Sequence, residues 1–376
     1  MTTRFGFVST FPPTQCGLAT FTAALRGALL HSTTDEGWVV RLVDAAAPRP
    51  SDEVVAQLIS DDSLSLRLAA GHLNMCDVAI MQHEYGVYGG ADGSQILHLL
   101  DHVRVPCVVV LHTVLTDPTP HQRQVLESVA AKADAVVVMT LTARERLAAR
   151  YAIDIGKVRI IAHGAPAVAA TVAEPAFRTG QFTVLTWGLL GPGKGIEWGI
   201  KAMAMLRDLQ PMPRYVVAGR THPKVLLDEG EAYRDRLREQ VRQAGLGLWI
   251  TFDSHYRSTG ALASLVRSAD AILLPYDSTE QVTSGVLIEA VAAGKPVVAT
   301  PFPHAAEILA GGAGLLVPHH DPAAIAVALR SMVTRGDVLT RMAAAATAAA
   351  PQLLWPVIAD KYRELTGRLI AARAAA

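Results

Sequence analysis

Between Trp187 and Met203 the chain reads WGLLGPGKGIEWGIKAM, which sets Gly188, Gly191, Gly193 and Gly195 around a single Lys194. Glycine lets an anion approach the backbone closely, and one ammonium among bare amides neutralises phosphate oxygens. From Gly188 to Gly193-Lys194 the spacing nearly fits a P-loop. The Ser or Thr that would hold magnesium is Gly195 instead, and no clear Walker-B acid follows. A P-loop NTPase is therefore rejected, while the phosphate chemistry is kept. The bland alternative is a solvated turn carrying a surface lysine.

A second constellation runs from Tyr276 to Thr300, YDSTEQVTSGVLIEAVAAGKPVVAT, with a helix expected to start near Ser284-Gly285. Gln281 and Glu289 are eight residues apart. A carboxylate about one and a half turns into a helix suits a ligand at the helix start, and its two oxygens match the vicinal diol of a ribose. Val286, Leu287, Ile288, Ala290 and Val291 surround Glu289, so a purely solvated role fits it poorly. A weaker signal is Gly17, which opens an apolar helix after Pro12 and Pro13; it is either an anion site or an ordinary turn glycine.

Histidines end several strand-like runs: His83 with Glu84 and Tyr85 behind it, then His112, then His163-Gly164. His112 is the functional candidate by position, and His83, Glu84 and Tyr85 are the acceptor-side candidates. No zinc-binding spacing, no D-x-D pair and no GxSxG elbow is present, so no metal site and no serine nucleophile is expected.

The elements that must carry these residues are short β-rich runs alternating with helical stretches. The runs span residues 4–10, 38–44, 77–83, 106–112, 134–140 and 157–163. After a small, proline-containing stretch at 165–181 they resume at 182–188, 213–219, 248–253, 270–276, 296–300 and 314–318. Continuous Val/Ile runs without polar alternation suit strands buried on both faces of a parallel sheet. The fold class expected is therefore α/β, with two doubly wound domains. Their boundaries are 1–166, 182–350, and a closing helical segment 351–376 with Leu354, Ile358, Tyr362 and Leu365 on one face. Ligands of such sheets bind beyond the carboxyl ends of the strands, so the expected site is a cleft lined by loops that follow strands.

With 376 residues, 51% of them hydrophobic, the chain can form more than one core. Lys+Arg and Asp+Glu are both 34, which argues against nucleic-acid binding driven by excess positive charge. No apolar run reaches the roughly 18–20 residues of a membrane span, and the N-terminus lacks the pattern of a signal peptide. Cys16, Cys76 and Cys107 are widely spaced and read as buried free thiols, so a cytoplasmic location is expected.

Taken together these residues resemble the retaining GT-B glycosyltransferases of family 4 (the glycosyl transferases group 1) along nearly the whole chain. The resemblance rests on Gly17, on the G-x-L-x-x-x-K-G loop from Gly188 to Gly195, on ADAILLP, and on Gln281-x7-Glu289 followed by AVAAGKPVVAT. It implies two Rossmann-like domains facing a cleft, the first taking the acceptor and the second the nucleotide sugar, with the C-terminal helix crossing back to the first. Carried over by residue, Gly17 approaches the donor diphosphate and Gly188 and Lys194 hold it, Lys194 neutralising its charge as it leaves. Glu289 takes the ribose; Gln281 and the backbone of Ser284, Gly285, Val286 and Leu287 meet the sugar and phosphates; His112 lies beside the reacting sugar face.

Two positions depart from the family. Leu189 stands where an arginine is usual, and Arg220 is the candidate replacement. Gln281 stands where the first glutamate is usual, with Glu280 as a shifted substitute. The implied activity is retaining, metal-independent transfer of a hexose, mannose or glucose, from a GDP- or UDP-sugar to a saccharide, polyol or lipid-linked acceptor. The nucleotide sugar is a substrate, and no cofactor is expected. Peripheral membrane contact is left open. The alternatives are a hydrolysing sugar-nucleotide epimerase on the same scaffold and a non-catalytic nucleotide-sugar-binding partner.

Overall fold

The structure, a computed structural model, describes residues 2–167, 180–255 and 257–375. It divides into two compact units: Met1–Gly164 with Trp355–Ala376, and Ala165–Leu354. Residues 168–179, most of the stretch read as a linker, lie outside the described residues.

The first unit holds β1 (Arg4–Ser9), β2 (Glu36–Val43), β3 (Val54–Ile59), β4 (Val78–His83), β5 (Cys107–Leu111), β6 (Ala135–Val138) and β7 (Val158–Ile160). They form one seven-stranded sheet in the order β3-β2-β1-β4-β5-β6-β7. Adjacent strands are parallel; Val8, for example, pairs with Val40 on one side and Met81 on the other. Every residue of β4 and β5 is buried, as expected for strands covered on both faces. β3 was not among the strand runs read from the sequence. It is an edge strand whose middle three residues are only half-buried and include Gln57, so it needs no continuous apolar run.

Helix Gly17–Leu30 buries Ala19, Phe21, Thr22, Leu25 and Leu29, a spacing that keeps one face on the sheet. The last helix, Trp355–Ala375, places Trp355, Ile358, Tyr362 and Leu365 in the same core as Phe5, Phe7, Phe21 and Leu25. Each such buried side chain contributes roughly 1.5–3 kcal/mol of transfer free energy. Leu354 does not join this face: it precedes the helix and forms a bridge with Ala165. Of the three thiols, Cys76 and Cys107 are buried. Cys16 is half-buried, because its Sγ caps the first helix and accepts from the Ala19 N–H at 3.5 Å.

The second unit holds β8 (Thr183–Trp187), β9 (Arg214–Ala218), β10 (Ile250–Asp253), β11 (Ala271–Leu274), β12 (Val297–Ala299) and β13 (Gly314–Leu316). Their order is β10-β9-β8-β11-β12-β13, all parallel. In both sheets the order reverses after the unit's first strand, between β1 and β4 and between β8 and β11. Connections on opposite sides of such a point diverge and leave a crevice at the carboxyl edge. Among the described residues no helix is long and apolar enough to cross a membrane.

Candidate functional site

At the reversal point of the second sheet, two loops run beside each other. The chain leaves β8 through Gly188, whose φ of +124 suits glycine. It then pairs with residues beyond β9: Leu190 N donates to Arg220 O at 2.8 Å, and His222 N to Leu190 O at 2.7 Å. Gly195 has φ +63 and opens helix Ile196–Ala204; a Cβ there would lie 1.7 Å from the Pro275 carbonyl oxygen. Asp277 N donates to Gly193 O at 3.0 Å. The lysine loop is thereby laid along residues 275–277, just past β11.

This alignment sets the Lys194 Nζ 4.3 Å from the centroid of the Tyr276 ring. Burial lowers the pKa of Lys194, yet no ion pair to it occurs among the described residues. Asp277, next to that tyrosine, is engaged elsewhere. Its Oδ1 accepts from Trp198 Nε1 at 2.9 Å and lies 3.0 Å from His320 Nε2. Leu189 brings no charge to the loop. Arg220 is exposed beside it, its carbonyl holding Leu190.

The second loop leads into helix Gly285–Ala292, capped by Ser284 Oγ, which accepts from Leu287 N at 3.3 Å. Ser284 N is itself spent on His304 Nδ1 at 2.7 Å, and His304 N donates to Gln281 O at 3.3 Å. Of the four backbone amides expected to meet the donor, Ser284 and Leu287 are therefore occupied. The Gly285 and Val286 N–H groups donate no backbone hydrogen bond among the described residues. They adjoin the lysine loop: a Cβ on Gly188 would lie 3.6 Å from Val286 Cγ2. The Gln281 Nε2 donates to Thr283 O at 2.9 Å, which leaves its carbonyl oxygen and a second N–H for a ligand. One turn further, burial pushes the Glu289 carboxyl up to about 7, and the Trp187 side chain is the group that favours its charged form.

In the first unit, Gly17 begins its helix at an open spot, where a Cβ would meet nothing within 4 Å. Packing does not require glycine there. Arg41, more than nine-tenths buried, steadies the preceding loop through Thr14 Oγ1 at 2.9 Å. His112 Nε2 lies 2.7 Å from Gln82 Oε1, and its ring meets Phe21 edge-on at 4.9 Å. Burial and the neighbouring His163 and His83 depress the His112 pKa to about 3. It is therefore a neutral hydrogen-bonding group at neutral pH.

His83 differs from expectation. Its side chain is wholly buried, edge-on to Tyr85 at 5.3 Å, and so presents no atom to an acceptor. Glu84 is held by Thr113, whose Oγ1 donates to Oε2 at 2.5 Å, and Tyr85 is half-buried beside it.

The structure gathers Gly188, Lys194, Ser284, Gly285, Val286 and Glu289 around β8 and β11, with Arg220 flanking; Gly17, His112, Glu84 and Tyr85 lie on the first unit. Sequence reasoning missed Tyr276, His304 and Gln82. Gln82 left a trace in the sequence, as a polar residue beside His83 at the end of an apolar strand run. Among the described residues, no group of three or more His, Cys, Asp or Glu could hold a metal ion.

Residues 169–349 match the family profile of glycosyl transferases group 1. The chain is 28% identical over 285 residues to a D-inositol 3-phosphate glycosyltransferase of Rhodococcus jostii (strain RHA1), covering 70% of this chain and 61% of that protein. The match thus spans less than two thirds of the relative's length. A D-inositol 3-phosphate glycosyltransferase of Streptomyces scabiei (strain 87.22) is 28% identical over 370 residues, covering 92% of this chain and 80% of that one. The crystal structure of Anabaena Alr3699/HepE in complex with UDP and glucose superposes with a TM-score of 0.77 at 17% identity, covering 97% of this chain and 100% of that one. The fold is that of the GT-B glycosyltransferases.

Proposed function

We propose that this chain, whose residues 169–349 match the profile of the glycosyl transferases group 1, transfers a hexose from a nucleotide diphosphate sugar to a hydroxyl acceptor, with retention of configuration and without a divalent ion. The observation that carries the reading is the pairing of two features at one reversal point. An ammonium with no acidic partner among the described residues, Lys194, lies on a loop that adjoins two open helix-start amides, Gly285 and Val286.

In the proposed reaction the bond between the sugar's anomeric carbon and the diphosphate oxygen breaks, and its electron pair stays on the diphosphate. Lys194 and the two amides meet the growing negative charge without reorganising. The acceptor oxygen bonds to the anomeric carbon from the same face, and its proton passes to a leaving phosphate oxygen. Glu289 takes the ribose diol and Gln281 Oε1 a sugar hydroxyl. Neutral His112 offers a hydrogen bond on the acceptor unit, with Glu84 and Tyr85 as its acceptor-side neighbours. The donor is a UDP- or GDP-hexose. UDP in the Anabaena structure supports the former, and the names of the actinobacterial relatives support a polyol acceptor.

Lys194→Ala tests this. A charge-stabilising donor of this kind is typically worth about 2.7–4 kcal/mol in the transition state, so turnover should fall by about a hundredfold or more with the fold intact. A folded variant with wild-type turnover would remove Lys194 from the mechanism.

A further inference from the structure

Resting on that reading of Lys194, we propose that Tyr276 is its positioning residue: the tyrosine ring is the seat that holds the ammonium ready for a diphosphate. A lysine stem has four rotatable carbons and loses much rotamer freedom when it is fixed. A carboxylate partner would fix it but would also neutralise the charge that the phosphates need. An aromatic face attracts the ammonium through its ring quadrupole and leaves the charge in place.

The surroundings of Tyr276 fit this task. The ring is 1% exposed and stacks on Phe302, with centroids 5.2 Å apart and planes 24° from parallel. Its carbonyl accepts from Thr300 Oγ1 at 2.6 Å and from His319 Nδ1 at 2.9 Å. The seat is thus fixed by groups outside the lysine loop. The loop is registered onto it from both sides of Lys194, by the Gly193–Asp277 bond and by the tight approach of Gly195 to Pro275. The Tyr276 hydroxyl makes no hydrogen bond of normal geometry among the described residues, so the ring face, not the hydroxyl, meets the lysine. Asp277, the acid next to the seat, is kept from the lysine by Trp198 and His320.

The test uses the full chain and calorimetric titration with UDP or GDP, whichever raises its melting temperature more. Tyr276→Phe keeps the face and should bind within about twofold of wild type, whereas Tyr276→Leu should weaken binding about three- to thirtyfold, the range of a cation–π contact. In a Lys194→Met background, Tyr276→Leu should cost nothing further, because its cargo is gone. If Tyr276→Leu is too unstable to titrate, Tyr276→pentafluorophenylalanine keeps the shape and reverses the charge of the face, and it should weaken binding to a similar extent.

An equal loss from the ring substitution in both backgrounds would show a packing role and overturn the proposal, as would wild-type affinity in Tyr276→Leu. Wild-type diphosphate affinity in Lys194→Met alone would instead defeat the underlying reading of the site, and the seat with it.

Discussion

Glu289 is the residue whose chemistry is most open to a pH experiment. An ordinary glutamate titrates near 4.5; here burial raises the value to about 7. A ribose diol donates to the ionised carboxylate, so nucleotide binding favours the charged form. Below about pH 7 binding must expel a proton; above it, none. Nucleoside diphosphate affinity should therefore rise with pH up to about 7 and then level off. Calorimetry in two buffers of different ionisation enthalpy should register up to one proton released per site at pH 6. Glu289→Gln should weaken binding and abolish the proton release. The same shift acts on stability with a definite sign. Between about pH 4.5 and 7 the unfolded chain ionises this group before the folded one does, so the group's contribution falls as pH rises through that window. An affinity independent of pH would place the ribose elsewhere. His112, already neutral, adds no titration in this range.

At the scale of elements, the helix Gly285–Ala292, proposed to meet the donor, depends on a residue outside it. His304 ties down both ends of segment 281–284, with its ring on Ser284 N and its own N–H on Gln281 O. An asparagine carries an acceptor close to the position of Nδ1, and an alanine does not. His304→Asn should hold nucleotide affinity near wild type. His304→Ala should lower it by about tenfold, the effect of losing a hydrogen bond worth about 1.4 kcal/mol. Equal affinities for the two variants, measured with melting temperatures alongside, would deny the positioning role. The strands and helices around this segment were legible because their apolar runs are long and buried: β4, β5, β8 and β11 are buried throughout. The edge strand β3 was not, since exposure dilutes its pattern. The contacts of His304 with Ser284 and of Tyr276 with Lys194 join residues 20 and 82 positions apart. Nothing in local spacing announces such pairs. The division of the helix-start amides into two occupied and two open was hidden for the same reason.

For the molecule as a whole, each unit carries its own sheet with its own reversal point, and Gly17, the Gly188–Gly195 loop and the segment from Gln281 to Glu289 follow strands that flank those points. Glycines were the clearest guides, for different reasons. Gly195 is demanded by the fold, because any side chain would strike Pro275; Gly17 is not, since its surroundings are open. His83 misled because a histidine at a strand end reads the same whether it faces solvent or the core. The central claim is that the diphosphate of the donor lies on the second unit, against the lysine loop and the open helix start. The most direct measurement is a crystal structure of the chain with UDP or GDP bound. The account predicts phosphate oxygens within about 3 Å of Lys194 Nζ and of the Gly285 and Val286 N–H groups, with the ribose on Glu289. A diphosphate bound away from residues 188–195 would contradict it.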